Sequence, residues 1–447
     1  RFPLQWKGGQ LMEVYKGLGS QSDITKYRDV TVADASGKAV GGLLRDAAVP
    51  VVSAMVGDAQ LGAGLNHGST ATAHLMARAY VDIAQVRKVS VALLFVDLRS
   101  AFASVVRRLA VPTGVSDEVW RQRLTKNGYS DDEVDQIFDE AGGACDWCNS
   151  GGSKHLLYIL REVHVHTWAS FEGLAGVIET KSGTLAGTPP ADIIFVAAFF
   201  VVIRHLRGRL GEAGLAWQVD AGGASEYFGI TGLGDEEFRA GDISYVDDLL
   251  IPYAAPADRL IEGLQSIATI VCEVFSRYGF EVNMKANKTE ALISFFGEGA
   301  ELAKRRAQSV FHEGIPLCPS KGAPCRLLCT HGYRHLGTRM VSAGTLMPEI
   351  KARMASMREA ARPLVGRVLR RTSVPVPKRL AVAKAVMFSK GLFQAAVWPK
   401  LQAREYAVVH AQVMSILRHV LAQDNVKDGV FVSDNEVVRR LGAMAPA

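Results

Sequence analysis

The sequence predicts an α+β fold, because apolar strand-like runs and helical segments follow one another without regular βαβ alternation. Two apolar runs, VALLFVD ending at Asp97 and ISYVDDLLIPY at residues 243–253, have the composition of buried strands. The segment LIEGLQSIATIVCEVFSRYGF carries apolar residues at i, i+3 and i+4, which predicts a helix packed on a sheet. The 447 residues suffice for two to four packed subdomains. Since the chain begins with Arg1 and not Met, we expect a piece of a longer polypeptide.

The other elements are predicted in chain order from local patterns. The opening, up to Val32, is rich in Gly, Lys and turn formers, so we expect loops and short strands there. Residues 38–86 have helical patterns interrupted by a polar, Gly-rich loop from Gln60 to Thr70. Residues 114–165 have the pattern of a helical insertion with turn signals. The apolar run from Ile193 to Ile203 is too short to span a bilayer, and we expect a buried core helix.

Cysteine usage indicates the redox compartment. Six cysteines in a chain of this length do not form a disulfide framework, so we expect a reducing, intracellular environment. Cys145 and Cys148 form a lone C-x-x-C motif. A second group follows later: Cys318, Cys325, Cys329 and His331. Zinc could bind at either place, but neither has the paired spacing of a four-ligand site, and we interpret them as ordinary thiols.

Positive charge is concentrated in one part of the chain. Between Lys351 and Lys400 there are twelve Lys or Arg residues and one acidic residue. This segment has a local net charge of +11, whereas the rest of the chain has −5. After Gly344 the pattern is helical and basic to about residue 420. A solvated helix face is the simplest interpretation of a charge run, but fifty residues with one sign favour binding to a polyanion.

Three aspartates stand at the ends of apolar strands. Asp97 follows VALLFV, and Asp247 and Asp248 lie together inside ISYVDDLLIPY. Adjacent carboxylates in an apolar setting repel each other and cost desolvation energy, so a positive partner is expected. If the two strands pair, the three carboxylates converge, and Mg²⁺ prefers such oxygen ligands. Two such ions about 4 Å apart can activate a 3′-hydroxyl and stabilise a leaving pyrophosphate.

Several motifs then resemble those of reverse transcriptases, in the same order. YVDD and LLFVDLRSAF resemble motifs C and A, and GTLAGTPPADIIF lies between them, where motif B belongs. GFEVNMKANKTEAL is similar to motif D and YRHLGT to motif E. Near the start, KYRDVTV and AQLGAGLNHGST resemble the fingers motifs of elements of the non-LTR, LINE-like class. We therefore identify the sequence as similar to reverse transcriptases of that class of retrotransposon.

The resemblance implies a right-hand polymerase with fingers, a palm and a helical thumb, the palm's antiparallel sheet carrying the catalytic aspartates. Residues 1–90 would form the fingers. Residues 91–340 would form the palm, together with part of the fingers and the insertion at about 114–165, and residues 341–447 would form a basic thumb. The reverse transcriptase domain would span about residues 7–340. The implied activity is that of an RNA-directed DNA polymerase, a nucleotidyltransferase extending a primer 3′-hydroxyl with dNTPs. The implied partners are an RNA template, a DNA primer and their hybrid, without a membrane or an obligate protein partner. Nuclear localisation is also implied.

Roles for single residues follow from the same resemblance. Asp97, Asp247 and Asp248 would hold two Mg²⁺ ions, or Mn²⁺, and Lys288 would protonate the leaving pyrophosphate. Phe102 matches the ring that excludes a 2′-hydroxyl, which favours DNA synthesis. The nucleotide-binding residues would be Arg28, Phe102, Gly183, Gly187 and Lys16. The nucleic-acid-binding residues would be Arg353, Arg358, Arg362, Arg367, Arg370 and Arg371.

The sequence departs from the family pattern in two loops. In the motif B segment, Ala186 replaces a Gln that touches the nucleotide sugar, Ala191 a Ser, and Asp192 the last Pro. In the fingers loop, Leu61 and Ala63 replace two phenylalanines. A degenerate relic that binds nucleic acid without polymerising is therefore an alternative. An RNA-dependent RNA polymerase or a nucleotidyl cyclase shares the palm chemistry, but neither explains the whole set of motifs.

Overall fold

The computed structural model describes residues 2–17, 19–57, 60–66, 68–111, 113–142, 146–217, 241–427 and 430–442. The chain divides into two compact units, Arg1–Thr330 and His331–Ala447. Both units combine helices with β-structure, so the predicted α+β class is confirmed.

The N-terminal unit contains ten strands and eleven helices among its described residues, besides short 3₁₀ turns. The strands are β1 Gly8–Tyr15, β2 Tyr27–Ala33, β3 Ser90–Val96, β4 Thr167–Phe171, β5 Val177–Thr180, β6 Ile243–Tyr245, β7 Asp248–Ala255, β8 Glu290–Ser294, β9 Ile315–Leu317 and β10 Cys325–Thr330. The helices are α1 Ala35–Val56, α2 Thr70–Val86, α3 Ala101–Ser104, α4 Asp117–Lys126, α5 Asp131–Gly142, α6 Asp146–Asn149, α7 Lys154–Val163, α8 Ala191–Glu212, α9 Leu260–Arg277, α10 Ala300–Arg306 and α11 Gln308–Glu313.

A six-stranded sheet forms the centre of this unit, in the order β6-β7-β3-β8-β10-β9. β3 pairs antiparallel with both β7 and β8, while β10 runs parallel to β8, so the sheet is mixed and not wholly antiparallel. All seven residues of β3 are buried, which matches their continuous apolar run and the predicted buried strand. The amphipathic α9 and the mostly apolar α8 pack in the same core, and both predicted helices are confirmed.

A second sheet has the order β2-β1-β4-β5. β1 and β2 form a long antiparallel hairpin, and β4 joins β1 in parallel. Gly8 lies so close to its neighbour that an added Cβ would be 2.2 Å from the Trp168 carbonyl oxygen. The short strands predicted in the N-terminal region are therefore present.

The C-terminal unit is mainly helical. Its elements are β11 Gly332–His335, β12 Thr338–Val341, α12 Met347–Ala361, α13 Val376–Val382, α14 Ser389–Gly391, α15 Ala403–Leu421, β13 Val426–Lys427, β14 Val430–Phe431 and α16 Asp434–Leu441, with π-helical turns at Val365–Leu369 and Ala383–Phe388. Ile350, Met357 and Leu417 belong to a hydrophobic core within this unit. The helical pattern predicted after Gly344 is confirmed.

One helix among the described residues, α1, has the length and hydropathy that would allow it to cross a membrane. Core helices meet the same test, and Ala48, Val52 and Val56 of α1 lie in the hydrophobic core of the N-terminal unit. Arg45 on this helix forms an ion pair with Asp192 of α8. Part of α1 thus packs in this core, while other apolar residues of the helix, such as Leu43, are exposed.

A buried histidine lies at the end of α7. The His164 Nδ1–H donates to the Leu160 carbonyl at 2.8 Å, and the His164 carbonyl accepts from Arg107 at 2.9 Å. Burial lowers the pKa of His164 from 6.5 to about 4, and the charge of Arg107 acts in the same direction. His164 is therefore neutral in the folded protein at neutral pH.

We predict that stability is lost as the pH falls from about 6.5 towards 4, because the unfolded chain binds the His164 proton first. The free energy of unfolding should fall by up to about 3 kcal/mol through this group. Denaturant unfolding of the wild type, His164→Gln and His155→Gln across this range measures the effect. His155 is the matched control because it is exposed on the same helix. A wild-type slope that His164→Gln leaves intact would contradict the prediction.

Candidate active site

Strand pairing brings the three aspartates to one end of the six-stranded sheet. Asp97 directly follows β3, and Val96 at the end of β3 pairs with Leu249 of β7. Continuing this antiparallel register by one residue places Asp97 opposite Asp248. Asp247 lies in the tight turn between β6 and β7, where Tyr245 pairs with Asp248. The predicted pairing of the two strands is confirmed, although 150 positions separate Asp97 from Asp247.

The loop before β8 surrounds Asp97 with hydrogen-bond donors. Lys288 Nζ lies 2.9 Å from Asp97 Oδ1, and the Asn283 side-chain amide lies 2.9 Å from Oδ2. The Asn283 backbone N–H donates to the Asp97 carbonyl, and the Asp97 N–H donates to the hydroxyl of buried Thr289. Lys288 was predicted from the sequence as a site residue, whereas Asn283 and Thr289 were not. The signal that could have identified them is their position beside Lys288 in NMKANKTE. Asp97 is thus fixed at its backbone and at both carboxylate oxygens.

Asp247 and Asp248 experience an unfavourable environment for negative charge. Burial raises the pKa of Asp248 to about 7, with further contributions from the charges of Asp247 and Asp97, although its side chain still reaches solvent. Burial also raises the pKa of Asp247, and Asp97 adds to this effect. The positive charges of Lys288 and Arg28 act in the opposite direction on both carboxyls. Burial and mutual repulsion therefore oppose the charged forms of Asp247 and Asp248 more strongly than Lys288 and Arg28 favour them.

The donor set fits a hard divalent cation in its chemistry. The three carboxylates, two of which have raised pKa values, supply the oxygen ligands that Mg²⁺ and Mn²⁺ prefer. As they stand, however, no three His, Cys, Asp or Glu side chains in the described part of the chain meet the distances of a metal site. Both oxygens of Asp97 are occupied by Lys288 and Asn283. Metal binding at Asp97, Asp247 and Asp248 stays a prediction.

The β1–β2 hairpin contributes positive charge to the same site. Arg28 is exposed on β2, and its charge acts on both Asp247 and Asp248. Lys16 directly follows β1, where its backbone N–H donates to the Lys26 carbonyl at 2.8 Å. The structure therefore brings Arg28 towards the acidic cluster, while nucleotide contact by Arg28 or Lys16 stays a prediction.

Phe102 lies on α3, the short helix that follows Asp97. The sequence AFASVVRRL predicts a helix start, and the helix ends after one turn at Ser104, where two β-branched valines follow. The half-buried Phe102 ring packs on Phe195 of α8, with centroids 4.9 Å apart. Since Phe195 is fully buried in the core, the Phe102 ring rests on a rigid support.

The loop between β5 and α8 is held by a buried arginine. Arg107 is completely buried and donates to the carbonyls of Gly183, Ser182 and His164 and to the hydroxyl of Thr180. Burial lowers the pKa of Arg107 to about 10. The sequence VVRRL gave no indication that one of its two arginines is buried and binds this loop. Arg107 therefore fixes the path of the loop that resembles motif B.

Gly183 and Gly187 in this loop both have positive φ angles, 76° and 99°. An added Cβ at Gly183 would lie 2.6 Å from Ala103 Cα, and one at Gly187 would lie 2.7 Å from the Thr31 carbonyl oxygen. These close approaches are to the protein's own backbone and explain why glycine is required. Contact of either glycine with a nucleotide stays a prediction.

Two departures from the family pattern lie in this loop and at the start of α8. The Thr31 N–H donates to the Ala186 carbonyl at 2.6 Å, so the backbone at Ala186 is bound to β2. Asp192 accepts from the guanidinium of Arg45 at 2.7 Å, and the same guanidinium donates to the Ala63 carbonyl at 2.7 Å. Arg45 thus links Asp192 and Ala63, two of the positions at which the sequence departs from the family.

The six arginines predicted to bind nucleic acid have different environments within the C-terminal unit. Arg353 is half-buried, paired with Glu349, and lies 4.6 Å from the centroid of the Phe393 ring. Arg358, Arg370 and Arg371 are exposed and contact Gln412, His419 and Ser373, in that order. Arg362 and Arg367 are also exposed. The exposed five keep their guanidinium groups at the surface, and their nucleic-acid contacts stay a prediction.

The cysteines of the two predicted groups differ in exposure. Cys145 lies outside the described residues, and Cys148 forms no disulfide bond. Cys318, Cys325 and Cys329 also form none, the first being exposed and the last buried.

Comparisons with known proteins show no family for the chain. No family model matches the sequence, and no curated protein matches it. Among solved structures, a telomerase from Candida albicans in complex with a fragment of telomeric RNA aligns with 10% identity and a TM-score of 0.36. The alignment covers 98% of this chain and 62% of the telomerase chain, so the chain spans less than two thirds of that protein. At this level the likeness establishes neither a family nor an activity.

We predict that Arg45 and Asp192 are energetically coupled. Single substitutions, Arg45→Ala and Asp192→Ala, should each destabilise the protein, because each leaves a partly buried charge without its partner. The double variant should be more stable than additivity predicts, by about 1 to 2 kcal/mol. Denaturant unfolding of the four proteins measures this coupling. If the effects of the two substitutions on the free energy of unfolding are additive, the predicted coupling between α1 and α8 through this ion pair is wrong.

Proposed function

We propose that this chain is an RNA-directed DNA polymerase that extends a primer 3′-hydroxyl with dNTPs, as part of a non-LTR retrotransposon. The observation that carries the proposal is the meeting of Asp97 with Asp247 and Asp248 at one end of a sheet. The ordered motifs from KYRDVTV to YRHLGT support the same chemistry. In this proposal the six-stranded sheet is the palm, the β1–β2 hairpin belongs to the fingers and the C-terminal unit is the thumb.

In this proposal Asp97, Asp247 and Asp248 hold two divalent metal ions, Mg²⁺ or Mn²⁺. When bound, the ions supply activation of the attacking hydroxyl and neutralisation of the charge on the phosphates. The raised pKa values of Asp247 and Asp248 support this role, because a bound cation offsets both the burial and the repulsion that raise them. Asp97 exchanges its contacts with Lys288 and Asn283 for this purpose.

The chain's own cations orient the triphosphate and move a proton. Arg28 presents a planar guanidinium, which suits bidentate contact with phosphate oxygens. Lys288 Nζ is within hydrogen-bond distance of Asp97, so its ammonium group is at the reacting centre, where it can donate a proton to the leaving pyrophosphate. Phe102, supported by Phe195, excludes a 2′-hydroxyl and thereby selects dNTPs.

A second candidate function is nucleic-acid binding without polymerisation. The observation in its favour is Ala186, which has no side-chain amide to contact the nucleotide sugar. Its backbone carbonyl is already bound by the Thr31 N–H. A relic of this kind keeps the basic C-terminal unit and loses nucleotide affinity.

We predict that the purified chain extends a DNA primer on an RNA template with dNTPs and Mg²⁺. Asp97→Asn and Asp247→Asn should each lower the rate by about 100-fold or more, because a charged group at the reacting centre is lost. Single-turnover primer extension measures the rates. Asp258→Asn is the matched control, since Asp258 is exposed in the turn after β7.

Two results would contradict the polymerase: no extension by the wild type, or equal extension by Asp247→Asn. Ala186→Gln separates the two candidate functions. A large gain in extension on restoring Gln identifies a weakened polymerase, whereas binding that survives loss of Asp97 and Asp247, without extension by any variant, identifies the relic.

We also predict that the exposed arginines of the C-terminal unit bind the phosphate backbone. Arg362→Gln with Arg367→Gln should weaken binding to an RNA–DNA hybrid and reduce the slope of log K against log salt by about 1 to 2. Binding titrations between 50 and 200 mM salt, roughly the useful range, measure this slope. Arg439→Gln is the control, because Arg439 is exposed in the same unit and paired with Glu436. An unchanged slope in the double variant would remove these two residues from the interface.

A further inference from the structure

The turn that carries Asp247 and Asp248 has an unusual backbone conformation. Val246, at its tip, has a φ angle of 59°. A β-branched residue rarely adopts this left-handed region, because its side chain crowds the backbone. Such a conformation persists only where surrounding contacts determine it. Since the two aspartates follow directly, the conformation of Val246 fixes the direction in which their carboxylates point.

The side chain of Gln60 makes the contacts that determine this conformation. Its Oε1 accepts from the Val246 N–H at 2.8 Å, and its Nε2 donates to the Val246 carbonyl at 3.2 Å. Both polar groups of the Gln60 side chain are therefore bonded to the backbone of one residue, Val246, which lies 186 positions away in the chain, at the two peptide groups on either side of its Cα. Gln60 is buried, with 4% of its surface exposed, so water does not compete for these bonds.

The loop around Gln60 is fitted to the same turn. Oε1 of Gln60 also accepts from the Gly62 N–H at 2.9 Å, which fixes the side chain relative to its own backbone. The Leu61 N–H donates to the Ser244 carbonyl at 2.8 Å, one residue before β6 ends. An added Cβ at Gly62 would lie 2.5 Å from the Val246 nitrogen, so only glycine allows this approach.

We infer that Gln60 is a positioning residue for the proposed polymerase reaction. Its amide holds the Val246 turn in the conformation that directs Asp247 and Asp248 towards Asp97. The chemical consequence depends on the proposed function, whereas the contact itself depends only on the geometry of the loop and the turn. Gln60 touches no reacting atom and acts through the turn.

Two variants test this role. Gln60→Met keeps the side-chain length and removes every side-chain hydrogen bond, while Gln60→Glu keeps an oxygen that accepts from Val246 and Gly62. Gln60→Met should lower kcat for primer extension by roughly 10- to 100-fold and leave the KM for dNTP within about threefold, because the acids are misplaced and the nucleotide contacts are kept. Amide hydrogen exchange at Val246 should be at least about tenfold faster in Gln60→Met, and slower again in Gln60→Glu.

Exchange in β3 reports whether the variants keep their fold, and Ser69→Ala is the matched control. Ser69 caps α2 at the end of the same loop and contacts Thr72. Unchanged exchange at Val246 in Gln60→Met would overturn the inference, as would an unchanged kcat in an active enzyme. If the wild type does not extend primers, the proposed function fails, and the exchange measurement alone decides whether Gln60 holds the turn.

Discussion

The repulsion among Asp97, Asp247 and Asp248 is the interaction on which the rest of the site depends. Burial raises the pKa of Asp248 to about 7, and the charges of Asp247 and Asp97 add to this effect. An arrangement of this kind persists only where a rigid framework opposes it, since free carboxylates move apart or bind protons. The framework is the central sheet, in which β3 is buried along its whole length between β7 and β8.

Each aspartate is fixed by a different part of the chain. The loop before β8 holds Asp97 through Asn283, Lys288 and Thr289. The loop after α1 holds the turn before Asp247 and Asp248 through Gln60. Because the two supports come from separate segments, the spacing between the acids depends on the packing of the whole N-terminal unit. A site built in this way is sensitive to global stability as well as to its own residues.

The sequence predicted those features that depend on local pattern. Buried strands such as β3 appear as apolar runs, and α9 appears through its helical period, so the fold class and the position of Asp97 beside Asp248 could be derived. The supports of the site could not, because they are side-chain to backbone bonds between distant residues. Arg107 has no periodicity or motif that distinguishes a buried, fully bonded side chain from a surface one, and the motif-like segment that contains Gln60 does not indicate which backbone groups its side chain binds. Only the folded chain brings their partners within reach.

The loop between β5 and α8 limits what Ala186 can change. Arg107 holds Gly183, the Thr31 N–H holds Ala186, and Arg45 holds Asp192 at the start of α8. None of these bonds involves the side chain at position 186. The path of the loop is therefore independent of the side chain at 186. Under the proposed function, the alanine would remove one contact with the nucleotide sugar, so the polymerase and the relic would differ in nucleotide affinity and not in the fold.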